Sequence, residues 1–189
     1  MIHKSLNKTK ERQRQYDIAY MKMAEAFATL SYAKRKQVGA VIVSKNDQVI
    51  SQGFNGTPHG FSNICEEILF ADDVKLNLDN DIEKFNAYAD NLSAGTWQKM
   101  SEIPYRLKTK PEVLHAETNA ITKCAKYSNS TEGATLYVTL SPCFDCAKLI
   151  IQSGIKRVVY MEKYRSDDGL KLLEKAGIQV EQIENINDD

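Results

Sequence analysis

Two short motifs constrain this chain more than any other feature of it. They are His115-Ala116-Glu117 and, after 24 intervening residues, Pro142-Cys143-Phe144-Asp145-Cys146. Together they offer one imidazole and two thiolates to a metal, with a carboxylate held two residues from the imidazole. Three protein ligands suit a zinc ion that keeps its fourth position open, as a catalytic site requires. Zinc in such a position brings the pKa of water towards neutrality. A glutamate beside it is placed to move protons in both directions of a hydrolysis. A lone C-x-x-C is also compatible with a redox pair or half of a zinc ribbon. A ribbon needs a second close pair, and the other two cysteines, Cys65 and Cys124, are far apart in sequence. A redox pair leaves His115 and Glu117 without a role.

Composition narrows the partners. The chain has 189 residues, with 25 basic and 25 acidic side chains and a net charge of zero. Proteins that grip long nucleic acid usually carry a basic excess, so a small substrate is expected and long nucleic acid is not. Four cysteines in this pattern do not resemble a disulfide framework. No apolar run is long enough to span a membrane. The first residues, with Lys4, Lys8, Lys10, Arg12 and Arg14, lack the apolar core of a secretion signal. A reducing cytoplasm is the expected compartment.

Periodicity supplies the frame. Tyr16, Ala19, Tyr20, Met23, Phe27 and Leu30 recur at helical steps and predict a helix over residues 12–33. The run Val38-Gly39-Ala40-Val41-Ile42-Val43 predicts a buried strand. Lys45-Asn46-Asp47 is turn chemistry, and residues 48–54 form the return strand of a hairpin. Asn55-Gly56-Thr57-Pro58-His59-Gly60 is a loop by composition. Further on, helices are expected at 115–127, 143–153 and 167–176, and strands at 135–139, 156–162 and 179–183. Gly154 and Gly177 close two of these helices, as C-terminal glycines do. The order implies an α/β protein, a three-layer α/β/α sandwich around a mixed five-stranded sheet.

Residues 61–113 interrupt this pattern and are expected to be an insertion or lid within a single domain spanning 1–189. Helical segments are expected near 65–73 and 82–92. The acidic clusters at Glu66-Glu67 and 79–83 read as solvated faces. Both metal motifs fall at predicted helix N-termini, where free N–H groups and positive partial charge favour thiolates. Pro142 suits the first turn of a helix.

With these motifs in place, the chain resembles the cytidine-deaminase-like superfamily, whose signature is H-x-E with P-C-x-x-C. More narrowly it resembles the deoxycytidylate (dCMP) deaminases of phages and eukaryotes. The narrower resemblance rests on Gly53-Phe54-Asn55-Gly56-Thr57-Pro58-His59-Gly60 and on Val159-Tyr160-Met161-Glu162-Lys163-Tyr164-Arg165, together with the strand from Gln37 to Val43. The resemblance implies hydrolysis of dCMP to dUMP and ammonia, with Glu117 as the proton shuttle and His115, Cys143 and Cys146 as ligands of one Zn2+. It implies that Asn55 meets the sugar, Arg35 the phosphate, and Ala116 and Tyr164 other parts of the substrate. It also implies a hexamer activated by dCTP with Mg2+ and inhibited by dTTP, through a regulatory site beside Gly56, His59 and Gly60. A second, structural zinc occurs in some phage relatives. Here Cys65, Cys124, His59 and His3 form no compact set, so one zinc is expected. Two other functions fit the same motifs less well. A deaminase editing tRNA or single-stranded DNA needs a basic groove with stacking platforms. A non-catalytic nucleotide sensor has no need of Glu117.

Overall fold

The computed structural model describes residues 9–70, 75–76, 98–100 and 103–184. Among the described residues there are four helices, α1 (Lys10–Ala28), α2 (Ala116–Lys126), α3 (Phe144–Gln152) and α4 (Asp168–Lys175). A five-stranded sheet runs in the order β2-β1-β7-β8-β9. Its strands are β1 (Gly39–Val43), β2 (Val49–Phe54), β7 (Thr135–Leu140), β8 (Arg157–Glu162) and β9 (Gln179–Gln182). β1 is antiparallel to both β2 and β7, while β7, β8 and β9 are parallel. The sheet is therefore mixed.

Strand alternation sorts the buried side chains into two layers. Val41 and Val43 of β1 join Tyr20, Met21 and Ala24 of α1 on one face. Ala40 and Ile42 join Ala120, Ala147, Ile150 and Leu173 from α2, α3 and α4 on the other. This is the α/β/α sandwich that the periodicity predicts. Helix α1 begins where Thr9 accepts a hydrogen bond from the Arg12 N–H at 3.2 Å. Its buried face is Asp17, Tyr20, Met21, Ala24 and Ala28, one residue off the expected stripe. Met23 and Leu30 are exposed, and the helix stops at Ala28 rather than at 33. Ser31 explains the stop. Its hydroxyl donates to the Asn55 carbonyl at 2.7 Å and accepts from the Ala33 N–H, which holds the chain in a turn.

Residues 61–113 contribute a second, antiparallel sheet in the order β4-β3-β6-β5. It is built from β3 (Glu66–Phe70), β4 (Lys75–Leu76), β5 (Gln98–Met100) and β6 (Ile103–Thr109). The helix expected near 65–73 is therefore a strand. Pairing with β6 decides this, with Glu66 opposite Thr109 and Ile68 opposite Leu107. The expectation of a solvated Glu66 is also corrected: it is 1% exposed. Glu67 is partly buried and ion-paired with Lys108 at 3.4 Å. The helix expected at 82–92, Trp97 and the acidic cluster at 79–83 lie outside the described residues. Among those described, no helix is long and apolar enough to cross a membrane.

The face under α1 holds a buried ionic cluster. Arg157 grips both Asp17 oxygens at 2.8 Å, Tyr137 donates to Asp17 at 2.7 Å and Gln13 at 2.9 Å. Burial pushes the Asp17 carboxyl up, and the bonds from Arg157, Tyr137 and Gln13 more than reverse this, so it lies below its ordinary value. A depressed carboxylate contributes stability that is present above the unfolded value near pH 4 and lost as pH falls through the folded value. Asp17→Asn is expected to lose about 3 kcal/mol at pH 7, because it leaves the buried Arg157 with Glu181 as its one carboxylate partner among the described residues. Denaturant titrations between pH 2 and 7 check this, with the variant showing the shallower decline in acid.

Candidate active site

The two metal motifs meet because each begins a helix on the same layer. His115 is the N-cap of α2 and Cys143 the N-cap of α3, both in extended backbone. Two glycines set the approach. A Cβ on Gly53 of β2 would lie 2.3 Å from the Ala116 carbonyl oxygen, so only glycine lets α2 settle there. A Cβ on Gly169 of α4 would lie 2.1 Å from the Pro142 carbonyl, against the backbone that carries Cys143. The Asn119 amide donates to the Phe54 carbonyl at 2.9 Å and ties α2 to the same strand.

The result is a compact cluster. His115 Nδ1 is 3.4 Å from Cys143 Sγ and 3.3 Å from Cys146 Sγ. All three donor atoms lie within 4.8 Å of one another, the one such His/Cys/Asp/Glu group among the described residues. On a tetrahedral zinc with ordinary bond lengths, an N and an S ligand sit about 3.5 Å apart. The donor set and its spacing therefore fit the ion. Cys65 and Cys124 are buried elsewhere. His3 lies outside the described residues.

Electrostatics favour metal binding. The Cys143 thiol is held down at about 4, first by the hydrogen bond from Cys146 and then, against burial, by His115. The Cys146 thiol is pushed up by that same bond and by its own burial. His115 is raised by its bond to Cys143, with burial opposing. Cys143 is thus the first thiolate, and a bound cation favours ionisation of both. Glu117 is 4% exposed and its carboxyl is pushed up by burial. A carboxyl in that state suits proton transfer near neutral pH.

His115, Glu117 and Cys143 line a cavity of about 400 Å3 at the carboxyl ends of β7 and β8. Ligands of open α/β sheets bind at such strand ends. Arg35, Asn55, Ala116 and Tyr164 line it too, so these candidate residues share one cavity with Glu117, His115 and Cys143. Asn55 is more committed than its sequence suggests. Its Oδ1 accepts from the Val38 N–H at 2.8 Å and its Nδ2 donates to the Lys36 carbonyl at 2.9 Å. Tyr164 is held by its N–H, which donates to Ser141 Oγ at 2.8 Å. Gly56, His59 and Gly60 are not among the lining residues. Gly56 is nevertheless bridged to Leu114, beside His115, by two backbone bonds of 3.1 and 2.9 Å.

Among the wall residues that the sequence did not mark are Glu66 and Thr109, both from the second sheet. Glu66 Oε1 accepts from the backbone N–H groups of Lys34 at 3.1 Å and Arg35 at 3.2 Å. Thr109 Oγ1 accepts from Arg35 Nη1 at 3.0 Å. The run Ile68-Leu69-Phe70 carried a signal, since strand spacing puts Glu66 on the face of buried Ile68.

A His/Cys/Cys cluster with a buried glutamate, at the strand ends of an α/β/α sandwich, defines a zinc-dependent nucleobase deaminase. Comparison with known proteins agrees. Residues 14–162 match the family described as the cytidine and deoxycytidylate deaminase zinc-binding region. The deoxycytidylate deaminase of Enterobacteria phage T2 is 39% identical over 161 residues, covering 80% of this chain and 83% of that one. The human deoxycytidylate deaminase is 37% identical over 150 residues, covering 77% and 66%. The structure of a dCMP deaminase from cyanophage S-TIM5, in complex with dCMP and dUMP, superposes with a TM-score of 0.64. It is 34% identical and is matched over 94% of this chain and 100% of that one. The chain belongs to the cytidine and deoxycytidylate deaminase family, and it is a deaminase.

If the cluster binds the metal, Cys143→Ala removes a thiolate ligand. Elemental analysis of the purified variant is expected to show zinc well below the wild-type content. Thermal melting is expected at a lower temperature, since metal binding and folding are coupled. Unchanged zinc content in the variant contradicts the assignment.

Proposed function

We propose that the protein hydrolyses dCMP to dUMP and ammonia, as a single domain spanning 1–189 with residues 61–113 inserted into it. The observation that carries the reading is the cavity itself. It joins His115, Cys143 and buried Glu117 to Arg35, Lys36 and Lys163, with Cys146 packed 3.3 Å from His115. His115, Cys143 and Cys146 would hold one zinc ion per chain, which would supply the Lewis acidity that makes water nucleophilic near neutral pH. Glu117 takes the proton released by the attacking water. It gives that proton to N3 of the cytosine, then takes the second proton from the hydroxyl now on C4 and gives it to the departing amine. The backbone N–H groups at the start of α3 face developing negative charge with the positive end of the helix dipole. Arg35 takes the phosphate through its guanidinium. Asn55 orders the turn at 36–38 and reaches the sugar, Ala116 flanks the ring, and Tyr164 closes one side.

Regulation completes the proposal. dCTP with Mg2+ activates and dTTP inhibits, bound beside Gly56, His59 and Gly60. Support comes from the Gly56–Leu114 bridge, which ties that loop to the backbone next to His115. A hexameric assembly and a cytoplasmic location rest on family membership.

A substrate panel tests the activity. The wild type is expected to turn over dCMP much faster than deoxycytidine, dCTP or an oligonucleotide. Glu117→Gln is expected to stay folded and zinc-loaded while losing several orders of magnitude in kcat, about the combined effect of a general acid–base and its positioning. A fast oligonucleotide reaction, or an active Glu117→Gln protein, contradicts the reading. In the same assay the rate against dCMP is expected to be sigmoidal alone, hyperbolic with dCTP and magnesium, and depressed by dTTP. Curves untouched by either triphosphate remove the regulatory part.

A further inference from the structure

The second sheet brings one group to the cavity that the chemistry above does not use. Glu66 is 1% exposed, and its two oxygens are treated differently. Oε1 is satisfied by the Lys34 and Arg35 N–H groups. Oε2 is buried and has no hydrogen-bond partner among the described residues. Beside it, Arg35 Nε is buried and equally without a partner, although Arg35 Nη1 is bonded to Thr109. Leaving a buried carboxyl oxygen unpaired is costly, by more than a typical hydrogen bond contributes. Two orphaned polar atoms on neighbouring residues of one cavity wall point to a ligand that completes them.

The chemistry of the missing partner follows from the pair. Arg35 Nε–H calls for an acceptor, and Glu66 Oε2 calls for a donor close to it. On the substrate proposed above, the phosphate supplies the acceptor. Its donors are few. The exocyclic amine belongs at the reacting end, beside Glu117. The only other neutral donor is the 3′ hydroxyl of the deoxyribose, which lies between the ring and the phosphate. Asn55, the residue expected to read that hydroxyl, already spends one donor and one acceptor on the backbone at 36–38.

We propose that Glu66 is a specificity residue of this enzyme, whose free carboxylate oxygen accepts a hydrogen bond from the 3′ hydroxyl of the nucleotide while Arg35 Nε engages the phosphate. The inference rests on the dCMP reading of the site. It also gives the inserted sheet a role, since β3 and β6 carry Glu66 and Thr109 as cross-strand neighbours to the two sides of Arg35.

The test compares kcat/KM for dCMP and for 2′,3′-dideoxycytidine monophosphate, in the wild type and in Glu66→Gln. Glutamine keeps a carbonyl oxygen for the Lys34 and Arg35 N–H groups and puts an amide donor where the free acceptor stood. The wild type is expected to prefer dCMP by roughly ten- to a hundredfold, the size of a charge-assisted hydrogen bond. In Glu66→Gln that preference is expected to fall by about tenfold, with the rate on the dideoxy substrate nearly unchanged. A preference unaltered by the substitution overturns the proposal. So does an equal loss on both substrates, which marks a purely structural role. So does a wild type indifferent to the 3′ hydroxyl, a result that needs no variant. Absence of any wild-type turnover of dCMP instead overturns the dCMP reading, and this inference with it.

Discussion

Everything in this molecule depends on how closely two helix N-termini are allowed to approach. An imidazole and two sulfurs from residues 28 and 31 positions apart converge to 3.4 and 3.3 Å. Side-chain choice alone does not achieve this. The α2 backbone must lie against β2 and the loop before α3 against α4, and both contacts leave no room for a Cβ, at Gly53 and at Gly169. Packed interiors transmit strain because they contain few voids. A methyl group at either glycine therefore moves His115 or Cys143.

The second dependence is on the wall opposite the metal. Helices α2 and α3, packed on the five-stranded sheet, supply His115, Cys143, Cys146 and Glu117, but these make only part of the cavity. The inserted sheet supplies Glu66 and Thr109, which hold Arg35 by its backbone N–H and its guanidinium. Lys36 and Glu162, ion-paired at 2.6 Å, link the turn before β1 to the end of β8. The cavity thus has a reacting end built on helix termini and a polar end built on strand pairing. Its positive groups lie mostly at the second end, which suits an anion held away from the reacting carbon.

Much of this was legible in the chain because the signals were local. The run from Val38 to Val43 reads as a strand buried on both faces, and it is one. His115 and Cys143 sit at predicted helix starts, and the structure makes them N-caps. The unread parts depended on partners distant in sequence. The stretch after Ile64 reads as a helix until β6 pairs with it, and the pair Glu66-Glu67 reads as solvated until Lys34 and Arg35 cover Glu66. Nothing near Asn55 announces that its amide is taken by the backbone at 36–38. The end of α1 was misplaced because Ser31 bonds to Asn55, 24 residues away. Family resemblance supplied the roles of Arg35, Asn55 and Tyr164, which no periodicity marks.

The central claim is that His115, Cys143 and Cys146 form one mononuclear zinc centre with an open position. X-ray absorption at the zinc edge of the purified protein tests it directly. The account predicts two sulfur neighbours near 2.3 Å, one imidazole nitrogen near 2.0 Å and one further light-atom neighbour, with all of these bond lengths approximate. A shell of four protein ligands, or one with fewer than two sulfurs, contradicts it.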